Sequence, residues 1–445
     1  MAIAVKPAEA IPAFAQQTGQ PCTACHVGAY GPQLTPTGRA FKIGGYTQGG
    51  GDGWTASMPL SVMAVTSLTH LNTGYPTGGA PQDFGTNNNP SIDQANVFIG
   101  GGLSDHTGGL MQITWQNIGT SYDNFHLDNT DLRPYVTTFS VGGKDLVVGT
   151  TLNNTPTVQD PYNTTFAWGY PYVSPNSNLA PAPAANVMLA GALAGNSIGY
   201  TAYAQYDGKL YLEAGAYSTP GRWTLARLGN PDSFGSISGA APYLRGAYEW
   251  QWGTNAAHVG AMFMQADINP STGLAYQTSS ATGRNRYADY AADAAYQFLG
   301  DGTHIVTVQG IYTYETQNIA AGNAMSGVTS KYTLNQIRAN TSYWYKNTYG
   351  ATLGWQKTWG PVNPDLYGAA GGSANNRPDS NAFIAEADWV PFGKDDSRWA
   401  PFANLKLGVQ YTAYTQFNGG NKNYDGNGHN ASDNNTLMLF AWMIF

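Results

Sequence analysis

The feature that most restricts the fold of this chain is a series of short segments in which apolar and polar residues alternate. In one segment an apolar set alternates with a polar or small set: Leu405, Leu407, Val409, Tyr411 and Ala413 against Asn404, Lys406, Gly408, Gln410 and Thr412. A period of two predicts a β-strand with one apolar face. Sixteen such segments are found, beginning near residues 57, 94, 107, 133, 144, 198, 209, 241, 256, 284, 303, 331, 348, 381, 401 and 435.

The connections between these segments alternate in length. Short turns of hairpin composition fall at residues 142–143, 207–208, 300–302 and 347–348. Long polar stretches lie between them, at residues 71–93, 153–197, 218–240, 360–380 and 417–434. An even number of strands, with short turns at one end and long loops at the other, is typical of outer-membrane barrels. Since the short turns of such barrels are periplasmic, we expect both chain ends on the periplasmic side.

The composition supports a membrane barrel. Charged residues make up 11% of the chain and aromatic residues 13%, with 55 glycines, whereas an ordinary globular domain has about 25% charged residues. The sequence contains no run of 18 apolar residues that suits a transmembrane helix. We therefore predict an all-β fold, a porin-like antiparallel transmembrane β-barrel of 16 strands in contact with outer-membrane lipid. A soluble β-sandwich or propeller is the alternative. The net charge of −7 argues against a nucleic-acid partner.

The last segment is apolar on both faces. One face ends in a terminal Phe, resembles the C-terminal signal of bacterial outer-membrane proteins, and is expected to meet lipid: Leu437, Leu439, Ala441, Met443 and Phe445. The opposite face is also apolar: Met438, Phe440, Trp442 and Ile444. This predicts an apolar group in the lumen beside the strand, and ordinary aromatic packing at the strand end is the alternative.

Near the start of the chain, residues 22–26 form a Cys-x-x-Cys-His motif that contains both cysteines of the sequence. This is the attachment pattern of c-type haem, with two thioether bonds and the histidine as proximal iron ligand. A zinc site needs four ligands, and no second Cys or Cys/His pair stands nearby. A thioredoxin-like site needs a βαβ context, and a disulfide across two residues has poor geometry. The motif predicts one covalent haem c bound by Cys22, Cys25 and His26.

The segment that carries this motif is short. Residues 1–50 are rich in proline and glycine and too few to build an independent core. We expect them to form a haem-binding plug in the lumen of a barrel built by residues 51–445. Because haem c is attached outside the cytoplasm, an export signal is also expected. The first residues lack a charged n-region and a long apolar h-region, so the sequence reads as the mature form.

The sixth iron ligand is open. Alternation places Met63 on the lumen face of the first segment, which makes its sulfur a candidate ligand. In a closed barrel the first strand pairs with the last, so Met438 is a second candidate. A methionine at either place is otherwise gap-filling packing. Histidine is the remaining option, although the available residues are predicted in turns or loops or near a strand end: His106, His126, His429 and His70.

The N-terminal residues resemble the fused outer-membrane monohaem cytochrome–porins of iron-oxidising bacteria. The match runs through Ile-Pro-Ala-Phe-Ala-Gln-Gln-Thr-Gly at 11–19, the motif at 22–26, Pro-x-Leu-Thr-Pro-x-Gly-Arg-x-Phe-Lys at 32–42 and Gly-Tyr at 45–46. The remaining chain matches by architecture and by its terminal Phe. The resemblance implies an outer-membrane c-type cytochrome, an Fe(II):cytochrome c oxidoreductase that oxidises extracellular Fe(II). Electrons would pass through the lumen haem to a periplasmic cytochrome or another electron carrier.

Two other functions are compatible with the same sequence. The chain is alternatively a diffusion porin whose haem plug is structural or sensory, or an electron conduit for other extracellular donors or acceptors. For any of these, Arg39 and Lys42 are candidate partners of the haem propionates, or else a solvated basic turn.

Other residues are candidates for contact with haem or iron. Three apolar residues are expected to cover the haem face, or else to pack within the plug: Phe14, Leu34 and Phe41. Three carboxylates fall in one predicted outer loop, where they would attract Fe(II) or merely aid solubility: Asp123, Asp128 and Asp131.

Overall fold

The computed structural model describes residues 12–49, 60–76, 79–81, 84–115, 125–165, 179–229, 235–269, 283–320, 330–368, 372–394, 397, 399 and 402–445. No helix within these ranges is long and apolar enough to cross a membrane.

One antiparallel sheet dominates the described residues. Its strands are β1 (Leu60–Leu71), β2 (Asn89–Ser104), β3 (Thr107–Trp115), β4 (Phe125–Val141), β5 (Lys144–Asn153), β6 (Ile198–Tyr206), β7 (Leu210–Ser218), β8 (Ser236–Ile237), β9 (Ala241–Trp252), β10 (Asn255–Asn269), β11 (Asn285–Phe298), β12 (His304–Ile319), β13 (Ser330–Tyr345), β14 (Tyr349–Trp359), β15 (Ser380–Trp389), β16 (Asn404–Gln416) and β17 (Thr436–Ile444). The helices are α1 (Pro12–Thr18), α2 (Cys22–Cys25), α3 (Pro36–Ile43), α4 (Arg222–Arg227) and α5 (Pro364–Tyr367), with short 3₁₀ turns at Val27–Ala29, Met188–Ala190 and Ala431–Asn434.

The sheet closes on itself because the first and last strands pair. β1 and β17 run antiparallel with Met63 opposite Ile444, and the backbones of Val62 and Phe445 exchange hydrogen bonds of 2.9 and 2.8 Å. A closed sheet has no unpaired edge and satisfies its backbone groups without water. Apart from the two-residue β8, sixteen strands build the wall, and the predicted antiparallel barrel is confirmed.

The strand starts agree with the predicted ones except at β2 and β4. β2 begins at Asn89 rather than near 94, and β4 begins at Phe125 rather than near 133. Register shifts in the pairings of β1 with β2, β3 with β4 and β4 with β5 interrupt the period of two that the prediction used. The predicted start near 57 lies outside the described residues, and β1 is described from Leu60.

The connections alternate in length as predicted. Turns such as 142–143, 207–209 and 346–348 lie at one end of the barrel, which we call the short-turn end, and the long connections lie at the other. β1 starts and β17 finishes at the short-turn end. The connection of residues 390–403 at this end is longer, and its described part packs against the N-terminal segment: a Cβ on Gly393 would lie 2.6 Å from the carbonyl oxygen of Ala29.

The outer face of the wall is apolar and exposed and the inner face is polar and buried, as the alternation predicted. In β14 the outward side chain of Leu353 is 63% exposed and the inward Thr352 is 1% exposed. Aromatic side chains are exposed near the short-turn end: Phe139, Trp252, Tyr349, Trp389 and Phe445. An apolar outer band bordered by aromatic residues is the surface that outer-membrane barrels present to lipid.

The N-terminal helices lie inside the lumen, towards the short-turn end. The amide of Gly28 donates to the side chain of Asn347 in the β13–β14 turn at 3.0 Å. Farther in, the Tyr203 hydroxyl of β6 donates to the carbonyl of Ile43 at 2.6 Å. At the start of α1, the amide of Ala13 donates to the Ser61 hydroxyl of β1. The wall therefore holds this segment from several sides.

A second segment also folds into the lumen. It is the described part of the β5–β6 connection, residues 154–165 and 179–197, which we call the inner connection. The amides of Met188 and Leu189 donate to Glu315 of β12 and Asp289 of β11, both at 2.8 Å. The Tyr414 hydroxyl of β16 donates to the carbonyl of Pro181 at 3.1 Å. The inner connection thus reaches across the lumen, whereas the sequence predicted only a long polar loop.

Candidate cofactor site

The Cys-x-x-Cys-His motif folds into one helical turn followed by a closed loop. The amide of His26 donates to the carbonyl of Cys22 at 2.8 Å, which ends the turn of α2. The chain then loops back, so that the amide of Val27 meets the carbonyl of Gln33 and the amide of Thr35 meets the carbonyl of Cys25. Residues three apart on a helical turn share a face. The motif spacing therefore presents both thiols from one side of the segment.

Helix α3 packs directly against this turn. Thr35 caps the helix by accepting the amide of Gly38, and its hydroxyl donates to the carbonyl of Ala24. A Cβ on Gly38 would lie 2.3 Å from the carbonyl oxygen of Cys25. Only glycine allows this approach, so Gly38 fixes the distance between α3 and the motif.

The motif residues and the barrel wall enclose one cavity. Cys22, Cys25 and His26 line it from the N-terminal segment, and Met63 lines it from β1. The space inside it, including the solvent at its opening, is about 1170 Å³. Most of the remaining lining is apolar or aromatic: Phe14, Tyr30, Leu34, Phe41, Tyr46, Phe98, Leu110, Trp442 and Ile444.

Burial decides the protonation of the motif side chains. Burial lowers the pKa of His26 to about 4, against a smaller opposing effect of the Gln33 backbone, so the imidazole is neutral near pH 7. Its Nδ1 atom is shielded from solvent and has no hydrogen-bond partner among the described residues. Burial raises the pKa of the Cys25 thiol to about 11. A neutral imidazole and two thiols in an apolar cavity fit the donor set of a c-type haem.

Met63 faces the lumen, as predicted. Its side chain is 2% exposed, and the indole N–H of Trp442 donates to its sulfur. Tyr30 packs edge-on against Trp442 with ring centroids 4.9 Å apart, and its hydroxyl donates to the Trp442 carbonyl at 3.2 Å. Met438 also faces the lumen, but it lies six residues from Ile444 along β17 and outside the cavity lining.

The cavity lining includes the three residues that were predicted either to cover a haem face or to pack within the plug, Phe14, Leu34 and Phe41, and one aromatic residue that was missed. Phe14 and Phe41 line the cavity and meet edge to face at 5.1 Å. Tyr46 stacks on Phe14 at 5.2 Å and meets Phe41 at 5.6 Å. Although Tyr46 belongs to the Gly-Tyr pair of the resemblance, its place in this cluster could be anticipated only from its closeness to Phe41 in the chain.

The expectation that Arg39 lies in a solvated turn is wrong, and its pairing with a haem propionate stays a prediction. Arg39 is neither in a solvated turn nor in the cavity lining, because its guanidinium is buried against β9. Its Nε and Nη2 atoms donate to the two carboxylate oxygens of Glu249 at 3.0 and 2.8 Å. Its Nη1 atom donates to the carbonyl of Leu34 and to Gln297 of β11. Arg39 therefore fastens α3 to the wall.

Lys42 is the basic residue that reaches the cavity. It is the one lysine or arginine in the lining formed by the described residues. Its ammonium donates to the backbone carbonyls of Val158 and Asp160 in the inner connection at 2.5 and 3.3 Å. Burial lowers the pKa of Lys42 to about 8, against the opposing pull of Asp131. A cation here suits a carboxylate group of a bound cofactor.

Two of the three carboxylates that were predicted in an outer loop lie in a strand instead. Asp128 and Asp131 lie within β4, because the strand starts earlier than predicted, and Asp123 lies outside the described residues. Asp131 lines the cavity, where it accepts the Tyr46 hydroxyl at 2.7 Å and pairs with Arg133 at 2.8 Å.

The histidines considered as sixth ligands lie elsewhere. His126 is in β4 rather than in a loop, and the others lie in β1, in the β2–β3 turn and in the β16–β17 connection: His70, His106 and His429. None of the four belongs to the lining that the described residues form.

Comparison with known proteins reports on the fold. Neither a protein-family description nor a curated protein matches the chain. Similar solved structures include OmpF of Salmonella typhi in complex with daunomycin, at TM-score 0.50 and 12% identity over 87% of this chain and 97% of that one. The outer-membrane channel DcaP of Acinetobacter baumannii gives a TM-score of 0.47 and 13% identity over 87% of this chain and 96% of that one. An anion-selective porin from Comamonas acidovorans gives a TM-score of 0.46 and 11% identity over 86% of this chain and 98% of that one. The match to OmpF shows that this chain has the closed barrel fold of an outer-membrane porin.

Proposed function

We propose that this chain is an outer-membrane barrel that holds one covalent haem c in its lumen and passes single electrons across the membrane. One observation carries the proposal. Cys22, Cys25 and His26, which suit covalent haem attachment, line the same cavity as Met63, which comes from a separate part of the chain.

The residues present would hold such a group in distinct ways. Cys22 and Cys25 would form the thioethers, and His26 and Met63 would bind the iron. The group would supply one-electron transfer, which needs no proton transfer by side chains. Lys42 would lie beside a propionate, and the aromatic cluster of Phe14, Phe41 and Tyr46 would exclude water. An apolar pocket with a Met ligand favours a high reduction potential, which acceptance of electrons from Fe(II) requires.

The two sides of the barrel then have different tasks. Donors would act at the long-loop end, and a periplasmic cytochrome or another carrier would collect electrons at the short-turn end, where the cavity lies. Extracellular Fe(II) as the donor rests on the N-terminal resemblance alone. Other extracellular donors or acceptors remain within the same proposal.

A direct experiment tests the haem and then the donor. The purified protein should keep its haem after denaturation, and Cys22→Ala with Cys25→Ala should abolish this covalent retention. Anaerobic Fe(II) should convert the intact oxidised protein to the reduced c-type spectrum. Retained haem that dithionite reduces and Fe(II) does not would reject iron as the donor while leaving the conduit in place.

A diffusion channel is the second candidate, and the porin fold favours it. In that case the N-terminal segment would be structural or sensory, and solutes would pass beside it. Planar bilayers separate the two, since a channel gives stable solute conductance and a filled lumen gives little. The contacts of α1, α3 and the inner connection with the wall support the filled lumen.

A further inference from the structure

A single tryptophan links the two candidate axial ligands of the proposed haem. The indole N–H of Trp442 donates to the sulfur of Met63. The backbone carbonyl of the same residue accepts the hydroxyl of Tyr30 at 3.2 Å. Tyr30 lies four residues after His26, in the loop that the backbone bonds of Val27 and Thr35 close. The side of the cavity with Met63 and the side with His26 are thus joined through one residue of β17.

We propose that Trp442 is the positioning residue of Met63, fixing the direction of its sulfur and tuning its strength as an iron ligand. The inference rests on the proposed function, because it requires Met63 to be the sixth ligand. Trp442 would not touch the iron, and its influence would pass through the thioether.

The physical argument starts from the freedom of methionine. Met has three side-chain torsions and a polarizable sulfur with two lone pairs, so burial alone leaves the direction of its sulfur weakly determined. A donor N–H on one lone pair restricts the side chain and leaves the other lone pair for a metal. The same bond withdraws electron density from the sulfur, which stabilises reduced iron relative to oxidised iron.

The wall around Trp442 makes this donor rigid. Its side chain is 3% exposed, and its strand is paired on both sides, with Lys406 of β16 and Val65 of β1 opposite it. Tyr30 covers one edge of the ring at 4.9 Å. An indole held in this way has no other donor group and is not easily turned away from the sulfur.

The test replaces only the N–H. Trp442→Phe keeps an aromatic ring in the wall and removes the donor. Trp355→Phe is the matched control, since it also removes an indole N–H, one that donates to Asn381 at 2.8 Å, and Trp355 lies outside the cavity lining. Both variants should fold as barrels and retain covalent haem. The readouts are the near-infrared magnetic circular dichroism band of His/Met ligation and the midpoint potential.

We expect Trp442→Phe to weaken the His/Met band of the oxidised protein and to lower the potential, while Trp355→Phe matches the wild type. If the affinity of Met63 for reduced iron relative to oxidised iron falls tenfold, a change worth about one hydrogen bond, the midpoint potential of a one-electron couple falls by about 59 mV. Wild-type band and potential in Trp442→Phe would overturn the inference.

A third variant separates this inference from the proposed function. Met63→Leu should abolish the His/Met band. If it does so while Trp442→Phe changes nothing, only the positioning role is rejected. If Met63→Leu leaves the band intact, Met63 is not the ligand, and the role of Trp442 is overturned together with that assignment.

Discussion

Arg39 and Glu249 meet through two parallel hydrogen bonds inside the barrel, with side-chain exposures of 5% and 2%. Residues 210 positions apart in the chain thus fix α3 to β9. A planar guanidinium against a carboxylate gives direction as well as attraction, so this pair determines how the helix beside the motif sits on the wall.

Removal of one partner should loosen α3. Arg39→Ala leaves the Glu249 carboxylate buried without its cation, which costs about 3–5 kcal/mol. We expect the amides of α3 to exchange with deuterium at least about a hundredfold faster, with the strands unchanged. Lys144→Ala is the control, because Lys144 pairs with Asp207 on the surface at 48% exposure, where such pairs contribute about 0–1 kcal/mol. Wild-type exchange in Arg39→Ala would contradict this role.

Gly38→Ala should impair cofactor attachment without unfolding the barrel. The added Cβ would meet the Cys25 carbonyl at 2.3 Å, so α3 or the motif turn must move. We expect less covalently bound haem per protein, measured by peroxidase staining against total protein. Gly221→Ala is the matched control, since a Cβ there has no described atom within 4 Å and its φ is −57°. Equal haem content in the two variants would show that the close approach is tolerated.

The β16–β17 connection should be most stable within a pH window that Asp425 and His429 set, since the two side chains lie 2.6 Å apart. The hydrogen bond that His429 donates to the Asp425 carboxylate raises the pKa of His429. Partial burial opposes ionisation of Asp425, but the bond from His429 outweighs it and lowers the pKa of Asp425 to about 2. Stabilisation by His429 is full below its ordinary pKa of 6.5 and is lost as the pH rises through the raised value.

The contribution of Asp425 has the opposite sign. It is full above the ordinary pKa of 3.8 and is lost as the pH falls towards 2. Local protection of residues 423–430 should therefore peak between these limits, as measured by hydrogen exchange corrected for intrinsic rates. His429→Gln should remove the loss of protection on the alkaline side. A pH-independent profile in the wild type would exclude the pair as its cause.

Release of the inner connection should open the lumen. Glu315→Ala combined with Asp289→Ala removes the acceptors of the Met188 and Leu189 amides, and an unpaired buried amide costs about 1–3 kcal/mol. We expect conductance in planar bilayers to rise above that of the wild type. Glu386→Ala is the control, because it removes a lumen carboxylate that pairs with Lys406 instead. An equal rise in the control would assign the effect to lumen charge rather than to the connection.

Period-two alternation was enough to predict the strands and the lumen side of Met63, because each depends on residues close together in the chain. The closed barrel was predicted instead from the even number of strands and the alternating lengths of their connections. The starts of β2 and β4 were the exceptions, since bulges in the pairings of these strands shift the parity that the prediction counts. The partner of Arg39 could not be predicted, because nothing near Arg39 marks Glu249. The inner connection was missed for a related reason: Asp160 and Asn163 are buried against the plug, yet their local sequence is that of a solvent loop.

The pairing of β1 with β17 puts the two extremities of the barrel-forming chain beside the cavity. Met63 and Trp442 are neighbours only after the last strand has joined the first, so the wall of the cofactor site is completed at the seam. Covalent attachment of the proposed haem would use Cys22, Cys25 and His26 and would not require this closure. Full ligation of the iron would then report that the barrel has closed. A barrel that is still open would carry attached haem without a working redox centre.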